Sequence, residues 1–106
     1  MMKHIVFLQF KESLTKQDIQ LVFDRLGELR EPIPQIKSYK YGKYDSNEGA
    51  NQGFDYGFEM EFDNAADRDI YLHHPVHVAL AGTIIPQLKD GLNSLLAFDY
   101  DPTKGL

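Results

Sequence analysis

The segment Tyr71-Leu72-His73-His74-Pro75-Val76-His77 gathers three of the four histidines of this chain behind a tyrosine and around a proline. Imidazole titrates near neutrality and is the side chain most often used to move protons. The chain has no cysteine, so thiolate nucleophiles, disulfides and cysteine-held metals are excluded. His73 and His77 stand i, i+4, the spacing that presents two ligands on one side of a continuous helix. Pro75 breaks that helix by pushing His74 out of the helical region. Beyond Asp67, Asp69 or a strand carboxylate no third ligand offers itself, so no metal is expected.

Acid–base chemistry suits the segment better. His77 falls just inside the helix that Pro75 opens, on the stripe of Leu80, Ala81 and Ile84. An imidazole facing an apolar interior has its pKa lowered by desolvation and stays neutral, as a general base must. The Tyr71 phenol could hydrogen-bond a carbonyl or enolate oxygen, and His4 could reach the same cavity. The plainer alternative is a buried histidine and tyrosine that satisfy only each other or a backbone carbonyl. Other candidates are weaker. Gly49 and Gly53 are turn glycines, the serines lack a nucleophile setting, and Glu59 and Glu61 share a solvent-facing strand side.

The elements that must position these groups are legible. Met2 to Phe10 reads as a strand with Met2, His4, Val6, Leu8 and Phe10 on one face and apolar Ile5 and Phe7 on the other. Thr15 N-caps a helix whose stripe is Ile19, Val22, Phe23, Leu26 and Leu29, ended by Pro32 and Pro34. Ile36–Tyr44 and Phe54–Phe62 read as strands around a polar, glycine-punctuated loop. Asp63-Asn64 caps a short helix to about Leu72. Pro75 opens another, which Pro86 kinks or shortens. Leu92–Tyr100 closes the order β-α-β-β-α-β, an α+β, ferredoxin-like arrangement with helices on one sheet face. Ile5 and Phe7 then call for a second subunit on the other.

Length and charge set the bounds. A chain of 106 residues fits a single domain over 1–106. A formal charge of −5 disfavours nucleic acid and anionic membranes as partners. No stretch is long enough to span a membrane, and the N-terminal apolar run is short for a signal peptide. A cytoplasmic protein is the expectation.

Lys3-His4-Ile5-Val6 through Phe10-Lys11, Ile33-Pro34, Tyr41-Gly42-Lys43, Gln52-Gly53-Phe54, Glu61-Phe62, His74-Pro75-Val76-His77 and Phe98-Asp99-Tyr100 together resemble the stress-responsive A/B barrel (Dabb) family. The resemblance implies a ferredoxin-like subunit that pairs sheet to sheet as a homodimeric α+β barrel. The family is functionally mixed, and its member with a defined reaction is a plant polyketide cyclase that closes a ring by aldol-type chemistry without a cofactor. By position, the resemblance places a catalytic tyrosine at Tyr71 and a general base at His77. It places further pocket residues at His4 and His74, and an acyl pocket around Phe23 and Leu26. Tyr56 stands where the cyclase has another histidine. The resemblance thus implies a pocket for a small carbonyl or polyketide-like compound, with no cofactor. A non-catalytic stress or interaction protein with structural histidines is the alternative. So is another barrel activity, a cofactor-free monooxygenase or lactone isomerase. His73 receives no role.

Overall fold

A computed structural model describes residues 1–106. Four strands, β1 (Met2–Leu8), β2 (Ser38–Lys43), β3 (Tyr56–Phe62) and β4 (Leu95–Tyr100), form one antiparallel sheet in the order β2-β3-β1-β4. Helices α1 (Lys16–Glu28), α2 (Ala65–His73) and α3 (Pro75–Ile84) complete the ferredoxin-like α+β subunit.

Local chemistry sets the helix starts. The Thr15 hydroxyl accepts from Asp18 N at 3.1 Å while the Asp18 carboxylate accepts from Thr15 N at 2.9 Å, a reciprocal capping box. Asn64 accepts from Asp67 N at 2.9 Å and caps α2. Between α2 and α3, His74 is extended (φ −63°, ψ 131°), as a residue before proline prefers. That single residue splits what would otherwise be one helix.

Strand alternation decides which side chains meet the helices. Val6 and Leu8 of β1 with Phe58, Met60 and Phe62 of β3 pack under Val22, Phe23 and Leu26 of α1 and Leu29 just after it. Tyr71, 1% exposed, is the largest of the most deeply buried side chains. The opposite sheet face is apolar where β1 meets β4. There Phe7 lies beside Leu96 and Ile5 beside Phe98 in register, and Phe98 is 60% exposed.

The elements are shorter than the periodicity suggests. Phe10 makes only an isolated bridge to Leu88, and 3-10 turns occupy Ile85–Gln87 and Gly91–Ser94. The last strand therefore begins at Leu95 rather than Leu92. Pro86 lies in the first of those turns, so it ends the helix rather than kinking it. None of the helices is long and apolar enough to cross a membrane.

Candidate active site

His77 returns to the helix that precedes it. The last carbonyls of any helix lack intrahelical partners, and Leu72 O near the end of α2 finds one in His77 Nδ1 at 3.0 Å. The carbonyl can only accept, so Nδ1 carries the proton and Nε2 keeps its lone pair. Burial pushes the His77 pKa down, against the smaller upward pull of the Leu72 bond. Burial thus favours the neutral ring, the form that can act as a base.

Tyr71 packs against that ring, with centroids 4.3 Å apart and planes tilted by 40°. His4 also packs against Tyr71, with centroids 5.6 Å apart. Burial first, and then the Asp99 charge, raise the Tyr71 phenol well above its ordinary range. It keeps its proton and remains a donor. His4 is 6% exposed and packs edge-on to Phe58 and Phe62, while its Nδ1 donates to the Asp99 carboxylate at 2.7 Å.

Three polar atoms on these touching side chains have no protein partner: the Tyr71 hydroxyl, His4 Nε2 and His77 Nε2. No fully enclosed side-chain nitrogen or oxygen is left unpartnered in the protein. Each of the three atoms therefore retains a small opening to solvent, although Tyr71 as a whole is only 1% exposed.

The other residues expected at the site lie elsewhere. His74 Nδ1 accepts from Val76 N at 3.2 Å and caps α3. His73 is exposed and bonded to Asp69 O at 2.9 Å, on a different helix from His77, so the i, i+4 relation does not bring the two together. Phe23 and Leu26 are core residues at 2% and 3% exposure. Phe23 stacks on Tyr41 with centroids 4.9 Å apart. Tyr56 packs against Phe10 and Phe23. In register His4 faces Met60 while Leu8 faces Tyr56, which sets the two about 13 Å apart along the sheet. The expected pocket thus divides into a polar end, with His4, Tyr71 and His77, and a filled aromatic end.

Neither of two open cavities is lined by Tyr71 or His77. One of about 190 Å3 lies between α1 and α3. The other, of about 690 Å3, lies on the opposite sheet face over Gly42 and Gly57, bordered by Ile5, Phe7 and Leu96. Asp99 and Arg68 are the polar-end residues that sequence reasoning missed. The available signal was parity, since Asp99 is a charge at a helix-facing position of β4.

The fold and this cluster define a ferredoxin-like subunit carrying a histidine–tyrosine–histidine group under its helices. The chain belongs to the Stress responsive A/B Barrel Domain family (Dabb), whose model matches residues 2–102. It is 28% identical to olivetolic acid cyclase of Cannabis sativa over 102 residues, covering 96% of this chain and 97% of the cyclase. The crystal structure of Arabidopsis thaliana At3g17210 superposes with a TM-score of 0.89 at 27% identity, covering 96% and 95% of the two chains. A dimeric protein of ferredoxin-like fold from Bacteroides fragilis is 28% identical with a TM-score of 0.66, covering 94% of each.

Proposed function

We propose that this Dabb protein is a homodimer that binds a small carbonyl compound at Tyr71 and His77 and abstracts a proton next to its carbonyl. His77 Nε2 is the base, and the Tyr71 hydroxyl donates to the oxygen that gains charge as the enolate forms. The observation that carries the reading is the ring contact of Tyr71 with both His4 and His77, each imidazole anchored through its Nδ1 alone. Similarity to a cyclase supports it, although the acyl-pocket positions Phe23 and Leu26 are packed shut in this chain. The apolar outer sheet face and the dimeric relative support the homodimer.

The experiment is α-hydrogen exchange of ethyl acetoacetate in deuterated water, followed by proton NMR. His77→Ala is expected to lose about 10²- to 10⁴-fold in rate. Undiminished exchange in a folded His77→Ala protein refutes the assignment.

Two observations favour a second reading, in which the histidines are structural and the protein is a non-catalytic stress or interaction protein. Tyr71 is almost wholly enclosed, and His77 does structural work by capping the end of α2. On that reading His77→Ala lowers stability and the wild-type protein catalyses no exchange.

A further inference from the structure

Two charged side chains reach the polar end without entering the chemistry described above. Asp99 stands opposite His4 in the β1–β4 register. One carboxylate oxygen accepts from His4 Nδ1 at 2.7 Å, and the other accepts from Arg68 Nη1 at 3.1 Å. Arg68 lies on α2 one turn before Tyr71, and its Nε donates to Asp69 at 2.9 Å. The Asp99 and Arg68 side chains are each 20% exposed, so this pair is screened less than a surface bridge.

An ionised carboxylate only accepts. In the neutral ring the proton of His4 is therefore fixed at Nδ1, and Nε2 is left open. His77 is held in the same way, through Nδ1 by a backbone carbonyl. Tyr71 thus touches two imidazoles, each anchored by its Nδ1 and, when neutral, each with Nε2 free.

We propose that Asp99, anchored by Arg68, is a positioning residue that fixes the His4 tautomer and so provides a second proton-accepting nitrogen beside Tyr71. That nitrogen can take a hydrogen bond from the Tyr71 phenol or from a substrate hydroxyl. The functional part rests on the proton-transfer reading of Tyr71 and His77; the tautomer does not.

The test uses 15N-labelled full-length protein and long-range proton–nitrogen spectra. In the wild type His4 is expected in the Nδ1–H form. In Asp99→Leu it shifts to a mixture containing the Nε2–H form, while His77 is unchanged. Exchange of ethyl acetoacetate by that variant falls on the order of 10- to 100-fold in kcat with KM held within about twofold. Asp99→Glu recovers part of the rate, and Arg68→Met loses less than Asp99→Leu. If Asp99→Leu does not fold, Asp99→Ala, which also removes the acceptor, is read in the same way. A His4 that keeps Nδ1–H in the folded variant overturns the proposal, as does an unchanged kcat beside an active wild type. If the wild type shows no exchange, the proton-transfer reading fails, and the His4 tautomer alone decides the positioning role.

Discussion

Removing one oxygen from Tyr71 separates a working site from a satisfied core. Tyr71 is 1% exposed, and its ring contacts with Phe62, His4 and His77, at 5.3, 5.6 and 4.3 Å between centroids, all survive in Tyr71→Phe. Its hydroxyl has no protein partner, so no intramolecular hydrogen bond is lost. A bonded hydroxyl would contribute about 1 kcal/mol; here the expected change lies within about 0.5 kcal/mol. For a domain of this size about 1 kcal/mol moves Tm by roughly 4–8 °C, so the shift in a calorimetric scan should stay under about 4 °C. Exchange of ethyl acetoacetate, by contrast, should fall by about 10²- to 10³-fold, the usual loss when one donor to a developing oxyanion is removed. Tyr71→Ala, which empties the core position, should cost about 3–5 kcal/mol. A Tyr71→Phe protein that melts more than about 5 °C lower yet exchanges at the wild-type rate would refute the reasoning, because its hydroxyl would then be structural.

Other outcomes rest on the same geometry. Because burial holds His77 below its ordinary pKa, the unfolded chain binds a proton that the folded one refuses between that lowered value and about 6.5. The contribution of His77 to stability is therefore complete above about pH 6.5 and is lost as pH falls through the lowered pKa. Urea midpoints across that window should rise with pH more steeply in the wild type than in His77→Gln; a flatter wild-type profile would contradict the sign. His74→Ala removes the α3 cap and should cost about 1 kcal/mol by urea unfolding with kcat unchanged, whereas a collapse of kcat would place His74 in the chemistry. On the outer face, Phe98→Asp should turn the proposed dimer into monomer by sedimentation. A wild type that is monomeric at micromolar concentration would count against the dimer itself, since Phe98 and Leu96 would stay exposed.

Much of the candidate site could be read along the chain, and the physical reasons are local. Pro75 constrains His74, so the helix break and the start of α3 follow from two neighbouring residues. Thr15 with Asp18 announces α1 through a capping box within one turn. Alternation places His4 on the helix side of β1, because successive strand residues point to opposite faces. Strand ends were less legible. Phe54 and Leu92 continue the apolar alternation of their strands, but ladder bonds to a neighbour decide where pairing stops, and those neighbours are remote in sequence.

Phe23, Leu26 and Tyr56 show the limit more sharply. Family resemblance assigns them to a pocket, and their apolar character fits a pocket wall and a packed core equally well. Only the packing distinguishes the two: Phe23 stacks on Tyr41 and meets Tyr56, at the end of the sheet away from His4. Asp99 is the converse case. Its sequence neighbours Phe98 and Tyr100 say nothing of His4, which stands 95 residues away along the chain and is bonded to it at 2.7 Å.

The sequence by itself determined the order of elements, the split between α2 and α3, and the candidacy of Tyr71 and His77, because each depends on a residue's own conformational preference or on neighbours within a turn. Tertiary structure alone decided the Nδ1 anchoring of His4 and His77, their contact with Tyr71, and the entry of Asp99 and Arg68. Those features depend on which acceptor a ring nitrogen meets. For His4 the acceptor lies across the β1–β4 ladder, and for His77 it lies across the break that His74 makes.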